Sequence, residues 1–109
     1  MVNRIIKYAQ EKRAADIVTL DLRKLTTMTD YFVIMSAGSD VQVKAITNAV
    51  VSGMKREFGR PWHQEGMHSR QWVLLDYVHV VVHIFLRDTR EFYGLERLWG
   101  DAKMTRAED

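Results

Sequence analysis

The chain has 109 residues, enough for one domain with a single core. Hydrophobic residues make up 47% and charged residues 28%, a balance that excludes a disordered polypeptide. The net charge of +2 is too slight to indicate nucleic-acid binding by itself, and the absence of cysteine excludes a disulfide framework, a thiol nucleophile and any cysteine-ligated metal.

The N-terminal stretch MVNRIIKYAQEKRAAD interrupts its apolar residues with charges, unlike a signal peptide. No apolar run approaches the roughly 20 residues that span a bilayer, so a cytoplasmic protein that avoids membranes, or a mature organellar one, is expected. Val2, Ile5, Ile6 and Ala9 follow helical spacing, with Arg4, Lys7, Glu11 and Lys12 on the wet side, which predicts an amphipathic helix from Val2 to about Arg13. DIVTLDLRKL then alternates: Val18, Leu20 and Leu22 face one way, Ile17, Thr19 and Asp21 the other, as in a strand. After a polar bend from Thr26 to Asp30, YFVIMSA reads as a well-buried strand.

GSDVQVKAITNAVVSGMKREFG carries the clearest helical pattern. Ser39 and Gln42 form a capping box, Val43, Ile46, Val50 and Met54 form the buried stripe, and Gly59 and Pro61 end it. A loop is expected from Arg60 to Arg70. WVLLD and VHVVVHIFL then read as two strands around a tight turn near Asp76 to Val78. Asp88 and Glu91 repeat the capping-box pattern and predict a last helix from Thr89 to Trp99. The order is α-β-β-α-β-β-α, which predicts one domain of the α/β (α+β) class. It is a mixed sheet with helices packed against it over residues 1–102, followed by a polar, frayed tail over 103–109. The strands are apolar on both faces, and three helices leave part of that surface for a partner.

Several site chemistries can be weighed on the same residues. His79 and His83 are four apart, but on a strand that spacing puts them roughly 13 Å from each other, too far for one ion. With only the loop residues His63 and His68 to join them, ordinary histidines are the expectation, with no metal and no cofactor. SAGSD lies between a strand and a helix, where amides can face a phosphate. Asp76 nevertheless stands alone, without the second carboxylate that metal-assisted nucleotidyl transfer needs, and Ser39 serves equally as a helix cap. No serine, histidine or aspartate sits in a nucleophile motif, so no catalytic residue is expected. Lys55, Arg56 and Arg60 cluster at the end of the long helix, and Lys7, Lys12 and Arg13 line the first. No aromatic is interleaved with them, and solvated helix faces explain them. In DTREFYGLERLWGDA, helical spacing aligns Phe92, Leu95 and Trp99. Phe92 and Leu95 read as core, whereas Tyr93, Trp99, Arg90 and Arg97 are either core or interface anchors.

Three stretches, DIVTLDLRKLTTMTDYFVIMSAGSDVQ, WVLLDYVHVVVHIF and REFYGLERLWGDA, resemble the ribosomal silencing factor S family, also called Iojap, over Ile5 to about Ala102. The resemblance implies a nucleotidyltransferase-like fold without that active site, and a binding role rather than an enzymatic one. Members bind the large-subunit ribosomal protein L-fourteen and obstruct subunit joining, lowering translation when nutrients are short; relatives in organelles assist large-subunit assembly. The family pattern falls here on Asp30, Ser36, Ser39, Gln42, Trp72, Asp76, Val80, His83, Arg90, Tyr93, Leu95, Glu96, Leu98 and Trp99. The partner-binding residues expected from pattern and resemblance together are Trp72, Asp76, Tyr77, Val80, Arg90, Tyr93, Glu96, Leu98 and Trp99. The large ribosomal subunit is the expected partner, with a homodimer possible and no DNA. Two departures stand out. Val78 and His79 occupy positions where the family usually has glycine and aspartate, and Ser36-Ala37-Gly38-Ser39 replaces a Ser-Gly-x-Ser turn. Without glycine at Val78, positive φ is harder to reach.

Overall fold

In the computed structural model, which describes residues 1–108, the first apolar stripe builds α1 (Val2–Gln10) and the alternating run builds β1 (Ala15–Asp21). YFVIMSA is β2 (Tyr31–Ala37), and the long periodic segment is α2 (Asp40–Glu57). Beyond it come β4 (Trp72–Asp76) and β5 (Val80–Leu86), preceded by a three-residue strand, β3 (His63–Glu65), inside the expected loop. Among the described residues the sheet therefore has six strands rather than four, in the order β3-β4-β5-β2-β1-β6, the last being Lys103–Arg106. Only β2 and β5 run parallel; the other pairs are antiparallel, so the sheet is mixed as expected.

The sixth strand corrects the expectation of a frayed tail. Lys103–Arg106 forms β6, antiparallel to β1, with Arg106 opposite Val18 and Lys103 opposite Asp21. The Ala107 amide donates to the Ile17 carbonyl, and Gln10 Nε2 to the Glu108 carbonyl at 2.6 Å. A row of open β1 amides and carbonyls is satisfied this way. All four β6 side chains are exposed, so the polarity that suggested a frayed end is that of a sheet-edge strand.

Period-2 alternation divides the strands between two cores. On one face Val33, Met35, Val73, Leu75, Val82 and Ile84 meet Ile5 and Ala9 of α1 and Val43, Ile46, Val50 and Met54 of α2. On the other face Val18, Leu20, Leu22, Ile34 and Phe85 meet only Leu95 among fully buried partners, with Phe32, Trp72, Trp99 and Ala102 packed at the margin. Two helices roof the first face. The second receives only a short, broken one.

That break is the largest departure from the expected helix over Thr89–Trp99. The segment forms α3 (Arg87–Tyr93) and α4 (Leu95–Leu98), separated by Gly94 at φ 56°, ψ 47°. The left-handed conformation caps α3 at little cost only for a residue without Cβ. A Cβ there would also lie 2.7 Å from Arg97 Nη2. The expected Asp88–Glu91 capping box does not form either. α3 starts directly from the end of β5, with Leu86 at its N-cap and no side-chain cap, so Asp88 falls inside the first turn.

The Ser39–Gln42 box forms with a shift. Ser39 Oγ accepts from the Gln42 amide at 3.1 Å, while Gln42 Oε1 accepts from the Gly38 amide at 2.7 Å. Gln42 Nε2 donates to the carbonyls of Lys12 and Arg13, which ties the end of α1 to the start of α2. No helix is long and apolar enough to cross a membrane among the described residues.

Candidate functional site

The under-roofed face carries the candidate site. Residues of one parity bring Trp72, Leu74 and Asp76 of β4 to it, beside Val81, His83 and Phe85 of β5 and Phe32 and Ile34 of β2. α3 and α4 lie across one end. The Trp72 ring stacks on Phe85 at 4.8 Å between centroids and meets Tyr93 at 4.8 Å. Trp99 meets Phe32 edge-on at 5.9 Å, and Phe32 meets His83 at 4.5 Å. A continuous aromatic tract thus runs from Tyr93 to Trp99. Gly66, at φ 82°, lets the preceding loop pass against Trp72: a Cβ there would lie 1.9 Å from the Trp72 carbonyl oxygen.

The margin of the tract is wet. Phe92 is 79% exposed, Leu98 73%, Tyr93 52% and Met104 46%. Phe92 was expected in the core. The Gly94 break ends the helical stripe that would have carried it inward, so only Leu95 of the expected pair is buried. Neighbouring exposed apolar side chains of this kind, rather than one such residue, mark interaction surfaces.

Arg90, expected as an interface anchor or core, is buried and structural in its contacts. Its guanidinium donates to Glu96 Oε1 and Oε2 at 3.2 Å each, to the Asp16 carbonyl at 2.7 Å and to Ser36 Oγ at 2.8 Å. It joins α3 and α4 to β1 and β2. Arg97 is exposed and lies over Gly94. Tyr77 and Val80 are buried in the core beneath α1 and α2, on the opposite face from the aromatic tract. Burial pushes the Tyr77 phenol up to about 12, and its hydroxyl has no hydrogen-bond partner among the described residues. The fold therefore gathers Trp72, Asp76, Tyr93 and Trp99 on one face, with Leu98 exposed on the adjoining α4 and Arg90 and Glu96 beneath, and separates Tyr77 and Val80 from them.

His83 belongs to the tract as a buried neutral ring. Trp72 Nε1 donates to His83 Nδ1 at 3.1 Å. An indole nitrogen only donates, so the imidazole proton is on Nε2. Burial pushes the imidazole down to about 3. His79 instead is exposed, with its Nδ1 3.4 Å from Asp30 Oδ2. No group of three or more His, Asp or Glu converges on a common point among the described residues.

The hairpin turn answers the question posed by Val78. It adopts φ 74° despite its β-branched side chain. The His79 amide donates to the Tyr77 carbonyl at 2.9 Å, closing a three-residue turn, and Asp76 Oδ1 accepts from the Val78 amide at 2.7 Å. Asp76 thus spends one oxygen on its own turn. A positive φ at valine is strained. Val78→Gly is expected to stabilise the fold by about 1 kcal/mol, relief of strain exceeding the added freedom of the unfolded chain. Urea denaturation measures it; a loss of stability would mean that the valine side chain contributes packing worth more than the strain.

The comparisons with known proteins point one way. The sequence model of a family described as ribosomal silencing factor during starvation (RsfS) matches residues 1–109. The chain is 40% identical over 94 residues to the ribosomal silencing factor RsfS of Bacillus subtilis, covering 86% of this chain and 80% of that protein. It is 31% identical over 101 residues to the mouse protein named mitochondrial assembly of ribosomal large subunit protein 1, covering 90% of this chain and 44% of that one. A crystal structure of a Chromobacterium violaceum protein matches with a TM-score of 0.88 at 33% identity, covering 99% of this chain and 90% of that one.

Proposed function

The chain belongs to the ribosomal silencing factor family, and from that premise we propose that it docks on the large ribosomal subunit through protein L-fourteen and blocks joining of the small subunit. The observation that carries this reading is the sheet face left uncovered by the broken last helix, with Phe92, Tyr93 and Leu98 held in water around Trp72 and Trp99. Aromatic side chains fixed on regular elements give large contact area at little entropic cost. Asp76, with its second carboxylate oxygen left free by the turn, suits a basic partner, whereas Glu96 is already paired with Arg90. The names of the bacterial and mouse relatives support the ribosome, and its large subunit, as the setting. Such a role places the chain with cytoplasmic ribosomes and requires no cofactor.

Blocking needs no chemistry. The molecule measures 34 × 31 × 27 Å. A body of that thickness on the subunit-facing surface holds the two subunits apart at surfaces that must otherwise meet at contact distance. A nucleotide-binding relic of the fold has less support. The Gly38 amide, which a phosphate would need, is taken by Gln42, and that turn is packed against the end of α1.

Tyr93→Ala and Leu98→Ala are each expected to weaken binding to L-fourteen by roughly 1–3 kcal/mol while leaving the fold intact, as for truncated interface anchors. Calorimetric titration measures the first and circular dichroism the second. Two folded variants that bind like the parent would remove this face from the interface.

A further inference from the structure

A second surface, distinct from the aromatic tract, lies at the β3 edge on the side of α2. There Val51, Ser52, Lys55, Arg60, Pro61, Trp62, His63 and Gln64 line an open cleft of about 580 Å³. The composition of this cleft is unusual for the molecule. Trp62 is 79% exposed. Its side chain stands in water although its backbone is held, the Trp62 amide donating to the Asp76 carbonyl at 2.7 Å. Pro61 before it restricts the chain further. The indole is therefore presented by a fixed backbone rather than carried on a loose loop.

The charge around it is one-sided. Lys55 and Arg60 line the cleft, no acid does among the described residues, and neither cation forms an ion pair among them. Their neighbours are engaged elsewhere: Arg56 lies over the Tyr8 ring, Glu57 pairs with Arg4, and Glu65 pairs with His63. Lys44, exposed on α2, shares the helical stripe of Asn48, Val51 and Lys55 and continues the basic track away from the indole. The cations at the end of this helix lacked an interleaved aromatic in the sequence pattern. The fold supplies one, because the chain turns at Pro61 and sets Trp62 beside the last turn of α2.

We propose that this cleft binds single-stranded RNA, with a base stacked on the Trp62 indole and the flanking phosphates held by Lys55 and Arg60. A flat exposed π face beside unpaired cations is the combination that recognises unstacked bases on a charged backbone. Ser52 and Gln64 supply hydrogen-bonding groups at the rim for base edges or a 2′-hydroxyl, while His63 Nε2 is taken by Glu65. An acidic peptide would meet the cations but leave the indole face unused. The choice of RNA over DNA rests on the ribosome reading above; the stacking and phosphate contacts do not. On the large subunit, this cleft gives the domain a contact with ribosomal RNA beside its contact with protein.

The test uses the full chain and two labelled ten-residue oligomers, oligouridylate and oligothymidylate, followed by fluorescence anisotropy and by quenching of tryptophan emission. The intact chain is expected to bind oligouridylate with quenching. Trp62→Ala, checked for folding by circular dichroism, is expected to weaken that binding about 5- to 150-fold, the range for loss of one base–aromatic stack. Lys55→Gln and Arg60→Gln should each weaken it and reduce its salt dependence by roughly 0.7 of a log–log slope unit per lost phosphate contact. Trp62→Ala should leave the affinity for L-fourteen unchanged, which keeps this site separable from the docking face. Absence of oligomer binding, or binding unaffected by all three substitutions, overturns the proposal. Loss of L-fourteen affinity in Trp62→Ala without loss of RNA affinity also overturns it, because the cleft would then be a protein contact. Tighter binding of oligothymidylate than of oligouridylate overturns the assignment to RNA.

Discussion

Arg90→Ala is expected to cost about 3 kcal/mol of folding stability, the low end of the range for removing one partner of a buried ion pair. Four hydrogen bonds converge on this guanidinium, from Glu96, the Asp16 carbonyl and Ser36. Alanine would leave Ser36 Oγ and the Asp16 carbonyl without that donor, and leave Glu96 without its cation. Glu96 keeps some solvent, with 30% of its side chain exposed, which is why the low end applies. The bulged start of β1, where Asp16 takes φ 50°, loses its clamp as well. Arg90→Lys keeps the charge but not the fork and should cost about half as much, since an ammonium cannot hold both carboxylate oxygens and both sheet groups in one plane. Urea denaturation followed by tryptophan emission measures both variants. A loss under about 1 kcal/mol for Arg90→Ala would mean that water replaces these contacts and that the last helices are held by Leu95 and Trp99 alone.

The second large effect is a dependence of stability on pH set by His83. Its folded pKa lies near 3, below the ordinary 6.5, because burial against Trp72, Phe32 and Phe85 disfavours the imidazolium. Above pH 6.5 the ring is neutral folded and unfolded, so it adds no pH dependence. Below pH 6.5 the unfolded chain gains a proton that the folded chain refuses, and stability falls until pH reaches the folded value. At pH 5 the loss from this group is about 2 kcal/mol. His83→Gln retains an acceptor for the Trp72 indole and removes the titration. Its denaturation midpoint should therefore change less between pH 7 and 5 than that of the parent. Equal pH dependence in the two proteins would show that the buried ring protonates in place.

Most of the architecture was legible because it is written in short-range pattern. The stripes of α1 and α2, the period-2 runs of β1, β2, β4 and β5, and the Ser39 cap each rest on residues close in sequence. The parts that were not legible depend on distant partners. Lys103–Arg106 looks like a tail because an edge strand with fully exposed side chains carries no apolar signature; only the open edge of β1 makes it a strand. His63–Glu65 is hidden for the same reason at the opposite edge. Phe92 points outward because Gly94 ends α3 instead of continuing it. A glycine four residues before Leu98 could have been read as a C-cap, which breaks the stripe and turns Phe92 outward.

The site followed the same division. Trp72, Asp76, Tyr93 and Trp99, from two separate stretches, share one face of the sheet, with Leu98 exposed on the adjoining helix. Alternation could have separated Tyr77 and Val80 from that face, since Tyr77 has the parity of Val73 and Leu75 rather than that of Trp72 and Asp76, and Val80 that of Val82 and Ile84 rather than that of His83 and Phe85. Arg90 and Glu96 were found as a pattern, but their pairing with Ser36 and Asp16 joins residues 54 and 74 positions apart. Nothing local announces it. Phe32 needed only the alternation of YFVIMSA, which sets it with Ile34 and Ser36 and opposite Val33 and Met35.

The most direct test of docking through the aromatic face is sedimentation of purified large and small ribosomal subunits with the parent chain and with the Tyr93→Ala, Leu98→Ala double variant. The parent should co-sediment with large subunits and reduce the fraction of joined ribosomes, while the folded double variant should do neither. Unimpaired joining with the parent bound to large subunits would contradict the occlusion mechanism, and full blocking by the double variant would contradict the assigned face.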